Sequence, residues 1–153
     1  MEVEHTQLLP GPREGVWDRL LDFDVLARTL PGVERLDPLG PDVCTLVARV
    51  IVPSITGTYE GKVEVVEKEP IDRYRLRGEA RGRLGWVRGD AHFRLESLPD
   101  GTSVTARMDF QAGGMLRSVG QRFMEAVVRS MLRDFFAAFE KELTPDGAGA
   151  RER

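Results

Sequence analysis

Residues 115–143 carry the strongest hydrophobic pattern in this chain, because apolar side chains recur there at helical spacing. On a helical wheel the apolar positions fill an arc of roughly 200°, whereas a helix packed on one core needs a stripe of only about 100°. Charged residues, among them Glu125, Arg129 and Arg133, crowd into the remaining arc. The pattern predicts one long helix whose surplus apolar face meets a second protein layer, an apolar ligand, a partner chain or a membrane.

Upstream of this helix the hydrophobic period is mostly two, which is typical of strands with one buried face. Turn residues separate the runs closely, so an antiparallel meander is expected. Trp86 lies in the opposite phase to Phe93 within one run, which predicts a β-bulge near residues 87–89. The predicted strands cover residues 3–9, 43–52, 58–66, 73–81, 84–98 and 104–110.

Two short helices are predicted after the first strand. Apolar residues recur at helical spacing in residues 13–23, and Asp24 is suited to cap a second helix over residues 25–30. The second helix should end before Pro31, since the residue preceding a proline avoids the α region. Together these elements predict an α+β fold, in which a curved antiparallel sheet of six to seven strands surrounds the long C-terminal helix.

Composition is typical of one soluble globular domain. Of the 153 residues, 41% are hydrophobic and 31% are charged. The net charge of -3 excludes the basic footprint of a nucleic-acid-binding protein. The N-terminus does not resemble a signal peptide, and no apolar run approaches the ~18 residues that span a bilayer, so a cytoplasmic location is expected. We expect a domain over residues 1–143 and a flexible C-terminal tail over residues 144–153.

Thiol and metal chemistry have little support in the sequence. Cys44 is the sole cysteine, so no intrachain disulfide can form, and a reducing compartment is expected. The two histidines, His5 and His92, have no second ligand at metal-binding spacing. Neither a catalytic thiol nor a metal site is predicted.

Arginines occupy the polar face of the predicted strand over residues 73–81. They are Arg73, Arg75, Arg77 and Arg81. One interpretation is an anion or lipid-headgroup site. The interpretation that we favour is an outer sheet face on which arginines pair across strands with acidic side chains, each exposed pair contributing about 0–1 kcal/mol. The expected partners are Glu60, Glu64, Glu79 and Glu96.

Methionines and tyrosines are the candidate ligand contacts. The four methionines after the first residue all lie on the apolar side of the last strand or helix: Met108, Met115, Met124 and Met131. Because methionine is flexible and polarisable, they either line a cavity for a large apolar molecule or fill an ordinary core. Tyr59 and Tyr74 suit ligand orientation as well as core packing. Asp134, within the apolar arc, either hydrogen-bonds a ligand, caps a neighbouring element or reaches water.

Six segments match one protein family in order and spacing. They are residues 16–22 (VWDRLLD), 30–34 (LPGVE), 57–63 (GTYEGKV), 113–114 (GG), 120–122 (GQR) and 135–136 (FF). Over residues 2–143 the chain therefore resembles the carbon monoxide dehydrogenase G-subunit (CoxG) family. That family belongs to the START-like (SRPBCC) helix-grip superfamily, which includes polyketide cyclases and lipid-transfer proteins.

The resemblance implies a deep apolar cavity between the curved sheet and the C-terminal helix. It also implies an accessory role beside a molybdenum hydroxylase-type dehydrogenase, for membrane recruitment or quinone delivery, with no catalytic residue and no metal. A bound quinone or lipid would be the only cofactor. The residues expected to line the cavity are Leu30, Tyr59, Tyr74, Leu76, Phe93, Met108, Phe110, Met115, Phe123, Val127, Met131 and Phe135.

We therefore expect a non-enzymatic binder of an apolar small molecule, with access near residues 30–32 and the start of the last helix. Transient, peripheral contact with the inner membrane face is also expected. Two alternatives stay open. A cyclase or hydrolase on the same fold predicts that Tyr59, Tyr74, His92 or Asp134 converges with others inside the cavity. A pure interaction module would use the spare apolar face as a homodimer or dehydrogenase interface.

Overall fold

A computed structural model describes residues 1–143, and the predicted tail at 144–153 lies outside the described residues. The described chain begins with a strand and two short helices, continues through six strands and ends in two helices. The elements are β1 (Glu2–Leu9), α1 (Arg13–Leu20), α2 (Phe23–Thr29), β2 (Val33–Pro38), β3 (Val43–Val50), β4 (Gly57–Glu69), β5 (Arg73–Gly82), β6 (Gly85–Leu98), β7 (Gly101–Gly114), α3 (Met115–Ser118) and α4 (Gln121–Leu143).

The strands form one antiparallel sheet in the order β1-β7-β6-β5-β4-β3-β2. From β2 to β7 each strand pairs with its neighbour in sequence, as a meander does. β1 lies at the far edge, where it pairs with β7 and places Val3 opposite Met108. The predicted α+β architecture, with a seven-stranded sheet and a long C-terminal helix, is confirmed.

α4 packs its apolar face on the sheet, and its backbone runs closest to β1 and α2. Phe136 and Phe139 are fully buried, and the ring of Phe136 stacks on His5 of β1 with the centroids 5.2 Å apart. Burying such a ring contributes about 1.5–3 kcal/mol, so these contacts hold α4 toward the β1 side of the sheet. Phe123 and Val127 lie on the other side of the helix and are only partly buried.

The C-terminal segment is two helices rather than the single helix that the periodicity predicts. α3 ends at Ser118 and α4 begins at Gln121. Between them, Gly120 has a φ of 99°, a conformation that glycine adopts readily and other residues avoid. Leu116 before the break and Met124 after it are both buried. The spacing of apolar residues therefore continues across the break between α3 and α4, so the sequence pattern does not reveal the break.

The first two helices are also shorter or shifted relative to the predictions. α1 ends at Leu20, and α2 begins at Phe23 with Asp22, not Asp24, as its N-cap. The Asp22 carboxylate accepts a hydrogen bond of 2.9 Å from the backbone N–H of Asp24. Both aspartates have the chemistry of a cap, and the position at which α1 ends decides between them.

The β-bulge predicted near residues 87–89 is wrong, because β6 keeps a continuous register along its whole length. Trp86 is out of phase with Phe93 simply because its side chain lies on the outer face. Its ring covers Gly113, where a Cβ atom would overlap it, and the guanidinium of Arg88 lies 4.8 Å from the ring centroid. The pairing irregularities of the described sheet lie between β2 and β3 and between β4 and β5.

Candidate ligand site

An apolar groove runs along α4 on the side that faces the end of β3. Its volume is about 450 Å³. One wall is the first half of α4, and the other is formed by the end of β3, the start of its connection to β4 and the loop before β2. The lining residues are Pro31, Gly32, Arg49, Val50, Ile51, Val52, Phe123, Ala126, Val127, Ser130, Met131 and Asp134.

The helical wall is built by side chains at four-residue spacing. Phe123, Val127 and Met131 lie above one another on α4, since residues i and i+4 share a helix face. All three are partly buried, and Ala126 beside them is exposed. This stripe is the part of the surplus apolar arc that neither the sheet nor the two short helices cover.

The opposite wall depends on a close backbone contact. The N–H of Arg49 donates a hydrogen bond of 2.8 Å to the carbonyl of Gly32, which ties the loop before β2 to the end of β3. Gly32 has a φ of 76°, and a Cβ atom there would overlap the Arg49 carbonyl. A glycine is therefore required for this wall to form.

A buried tyrosine holds the connection that follows β3. The hydroxyl of Tyr59 donates a hydrogen bond of 2.7 Å to the carbonyl of Ile55. Both residues are buried, and burial raises the pKa of Tyr59 above its usual value. The Thr56 hydroxyl and the Ile55 N–H both donate to the carbonyl of Val52, which closes the turn. The groove wall at residues 50–52 is thus anchored from inside the fold.

Three of the twelve lining residues carry a polar side chain. Arg49 lines the groove from the sheet side, and Ser130 and Asp134 line it from the helix side. Arg49 and Asp134 are exposed and form no ion pair with the described residues. An apolar groove with a few polar groups at its edge can hold a hydrophobic body and orient a carbonyl or hydroxyl at one end.

The structure brings together only part of the predicted cavity lining. Phe123, Val127 and Met131 line the groove. The other predicted residues lie elsewhere: Tyr59, Tyr74, Phe93, Phe110 and Phe135 are buried in the core, and Leu30, Leu76 and Met108 are partly buried against it. Met115 is 64% exposed at the start of α3.

Tyr74 illustrates why the sequence pattern alone is ambiguous. Its ring packs edge-on against Trp17 at 5.4 Å and stacks on Phe93 at 4.8 Å. This burial raises the pKa of Tyr74 well above its usual value. The residue therefore connects α1 to the sheet as a neutral side chain.

Residues at the end of β3 were missed as groove-lining positions. Val50, Ile51 and Val52 form an uninterrupted apolar run before Pro53, and β3 ends at Val50 instead of continuing to residue 52. Ile51 is 77% exposed. The loss of alternation at the end of a predicted strand was the available signal, because it marks residues that leave the sheet.

Three arginines of β5 pair with acidic side chains on the outer sheet face, as the favoured interpretation predicts: Arg73, Arg75 and Arg77. Arg81 forms no ion pair with the described residues. Arg75 contacts Glu67 at 2.9 Å and Asp90 at 3.3 Å, and Arg73 contacts Glu69 at 2.8 Å. The predicted glutamate partners are wrong. Glu64 lies opposite Arg77 in the register, but Arg77 contacts Asp90 at 3.8 Å instead. The irregularity between Val65 and Glu67 places Glu67 opposite Arg75. The hydrogen bond from Arg75 lowers the pKa of Glu67.

Two further kinds of site find no support in residues 1–143. No cluster of three or more His, Cys, Asp or Glu side chains in this part of the chain is arranged to hold a metal ion. Among the same residues, no helix has the length and apolar character needed to cross a bilayer.

Comparison with solved structures identifies the fold. A conserved protein from Geobacillus kaustophilus is 25% identical, with a TM-score of 0.90 over 95% of this chain and 97% of its own. A protein from Thermus thermophilus is 20% identical, with a TM-score of 0.63 over 94% of this chain and 100% of its own. The Aha1 dimer from Colwellia psychrerythraea is 16% identical, with a TM-score of 0.64 over 97% of this chain and 99% of its own.

These neighbours share the START-like (SRPBCC) helix-grip fold of this chain. A comparison with curated proteins found no match. Residues 9–144 match the carbon monoxide dehydrogenase G-subunit (CoxG) family. Because that match spans nearly the whole chain and agrees with the fold, this protein belongs to the CoxG family.

Proposed function

We propose that this protein is a non-enzymatic carrier of an apolar molecule, a quinone or another lipid, that acts beside a molybdenum hydroxylase-type dehydrogenase in the cytoplasm. The observation that carries the proposal is the apolar groove along Phe123, Val127 and Met131. Its volume of about 450 Å³ lies within the usual range for small-molecule sites, roughly 300–1,000 Å³. Membership of a family of dehydrogenase subunits supports the accessory role.

A quinone suits the polarity of the groove. Its ring and isoprenoid chain would cover the helix stripe, where burial contributes roughly 25 cal/mol per Å² of apolar surface. The hydroxyl of Ser130 would donate a hydrogen bond to a quinone carbonyl from the helix side. This contact does not require the protein to change the chemistry of the ligand.

The enzymatic alternative has less support. Of the groups that would have to converge, Tyr59 donates to a backbone carbonyl and Tyr74 is enclosed by aromatic rings. His92 lies on the outer sheet face beside Arg94, whereas Asp134 lies at the groove. General acid–base catalysis needs such groups within hydrogen-bonding reach of one substrate atom. Tyr74 and His92 border one pocket, Asp134 borders the groove, and Tyr59 borders neither.

The test is ligand uptake with the groove open and with the groove filled. The protein is incubated with short-chain menaquinone, and bound ligand is measured by native mass spectrometry and by quenching of tryptophan fluorescence. Ala126→Trp places a large ring in the groove from an exposed helix position. Ala137→Trp is the matched control, since Ala137 is an exposed alanine of α4 outside the groove.

We expect Ala126→Trp to weaken menaquinone binding about tenfold or more, which corresponds to a loss of about 1.4 kcal/mol, and Ala137→Trp to bind as the parent protein does. Absence of uptake by the parent protein would exclude the carrier function for this ligand. Equal loss in both variants would show that binding does not occur in the groove.

A further inference from the structure

The outer sheet face carries a pocket of its own, which we call the outer pocket. Its volume is about 470 Å³, and it extends over five neighbouring strands, from β4 across β5, β6 and β7 to β1. It shares no lining residue with the groove. Two adjacent cross-strand rows of side chains border it, with Arg75, His92 and Arg107 in one row and Arg73, Arg94 and Thr105 in the next.

Basic side chains lie directly opposite each other in both rows of the outer pocket. Arg73 is the register partner of Arg94, and His92 lies between Arg75 and Arg107. Directly opposite side chains of an antiparallel pair have Cβ atoms about 4.5–5.5 Å apart, and like charges at that distance destabilise a sheet. An anion held between these side chains would offset that repulsion.

Carboxylates of the protein neutralise only one side of this basic cluster. Arg73 and Arg75 are paired with glutamates of β4 at 2.8 and 2.9 Å. On the side of β6, the Arg94 guanidinium and the His92 ring form neither a hydrogen bond nor an ion pair with residues 1–143. Arg107 of β7 has one long carboxylate contact, at 3.9 Å, in the described chain. Donors on β6 and β7 therefore remain available to a ligand.

A hydroxyl group adds a neutral donor on the same side of the outer pocket. Thr105 is the register partner of Arg94, and its hydroxyl lies 3.1 Å from that of Thr6. With Thr6 as the donor in that contact, the Thr105 proton is available to a ligand. The donors come from separate rows and strands. A phosphate group can accept from several of them at once, whereas a planar carboxylate is matched by a single arginine fork.

We propose that the outer pocket binds the phosphate group of a small phosphate monoester, held between Arg94 and Arg107. His92 and Thr105 are the further donors. A monoester carries nearly two negative charges at neutral pH, so it offsets the repulsion within both rows. The volume of about 470 Å³ lies within the usual range for small-molecule sites, roughly 300–1,000 Å³, which leaves room for the esterified body beside the phosphate. Because the sheet separates the outer pocket from α4, this binding does not depend on the proposed carrier function.

The test is titration of the full-length protein with AMP and, separately, with inorganic phosphate, which distinguishes an esterified phosphate from the free ion. NMR of backbone amides and of arginine Nε–H groups locates the site and gives the dissociation constant. R94Q/R107Q removes two donors of the outer pocket. R83Q/R133Q is the matched control, because both arginines are exposed and neither forms an ion pair with the described residues. Glu4→Gln removes a carboxylate that borders the pocket opposite Arg107.

We expect AMP to shift resonances of β6 and β7 at the outer pocket, with a dissociation constant that rises as salt is added. R94Q/R107Q should raise that constant about tenfold or more, because hydrogen bonds to charged groups are lost, while R83Q/R133Q binds nearly as the parent protein does. Glu4→Gln should lower the constant about two- to fivefold, since it removes a repulsive charge. Without ligand, Arg94→Gln should raise the melting temperature, because it removes the like-charge pair with Arg73.

Absence of AMP binding to the parent protein overturns the inference. Equal losses in R94Q/R107Q and R83Q/R133Q also overturn it, because they would show that only net charge matters. Inorganic phosphate that binds as tightly as AMP contradicts recognition of a monoester and identifies the free ion as the ligand. Circular dichroism shows whether each variant is folded, and if R94Q/R107Q does not fold, Arg94→Gln and Arg133→Gln are compared in its place.

Discussion

Replacing Tyr59 by Phe tests how the groove wall is held. The substitution removes one hydroxyl, whose hydrogen bond of 2.7 Å anchors the carbonyl of Ile55 inside the fold. Tyr59 is 7% exposed and Ile55 is 4% exposed, so water does not readily replace the lost donor. A lost hydrogen bond of this kind costs about 0.5–1.5 kcal/mol, and a buried carbonyl left without a partner raises the cost to about 1–3 kcal/mol.

Tyr74→Phe is the matched control. Tyr74 is 4% exposed, but its hydroxyl forms no hydrogen bond with the described part of the chain, and its ring contacts with Trp17 and Phe93 survive in phenylalanine. The same chemical change should therefore alter the free energy of unfolding by less than about 0.5 kcal/mol.

Urea denaturation followed by circular dichroism measures both free energies of unfolding, and amide hydrogen exchange measures local opening at residues 51–56. We expect Tyr59→Phe to lower the free energy of unfolding by about 1–3 kcal/mol and to accelerate exchange of the Ile55 amide, which donates to Val52. An equal loss in Tyr74→Phe, or no loss in Tyr59→Phe, would refute the anchoring role of the Tyr59 hydroxyl.

Two further predictions concern the backbone of the groove and the response to high pH. Gly32→Ala should lower the free energy of unfolding by about 1–3 kcal/mol and weaken ligand uptake, because the φ of 76° and the nearby Arg49 carbonyl both disfavour a side chain. Gly40→Ala is the control, because a Cβ atom at Gly40 meets open space and should change neither stability nor uptake. Thermal denaturation of the two variants measures the difference in stability. Burial raises the pKa of Tyr74 in the folded state, so the unfolded chain releases the phenol proton first as pH rises above about 10. The free energy of unfolding is therefore unaffected by this group below that pH. Above it, the free energy of unfolding falls by up to about 1.4 kcal/mol per pH unit. Urea denaturation between pH 9 and 11 should show that the free energy of unfolding declines less steeply with pH in Tyr74→Phe than in the parent protein. The same slope in both proteins would contradict the raised pKa of Tyr74.

Local chemistry explains which elements could be predicted from sequence and which could not. The alternating runs of β5 and the turn before β7 predict a meander, because side-chain period and turn residues are local properties. The break at Gly120 does not interrupt the apolar period, and the same residue type is compatible with a helix interior or with a positive φ. The phase of Trp86 predicts a bulge, but an outward-facing tryptophan over Gly113 produces the same sequence pattern without one.

The candidate site was predicted in part for a related reason. Phe123, Val127 and Met131 follow from the helical period. Ligand access is expected near residues 30–32 and the start of the last helix, and Pro31 and Gly32 line the groove. Tyr74 and Phe93 have the same inward phase as a cavity lining would have, but their rings stack on each other and Tyr74 also packs against Trp17. The alternation along a strand specifies the sheet face on which a side chain lies. Only the distance to the element that packs on that face determines whether the space between them is filled by side chains or open to a ligand.

The sequence by itself determined that α4 has more apolar surface than one sheet contact requires, that the strands form an antiparallel meander, and that the chain is similar to the CoxG family. Tertiary structure alone decided where the surplus lies. The aromatic rings of Phe136 and Phe139 hold α4 toward β1, so the uncovered stripe faces the end of β3. This outcome depends on contacts between residues far apart in the chain, which local periodicity cannot encode.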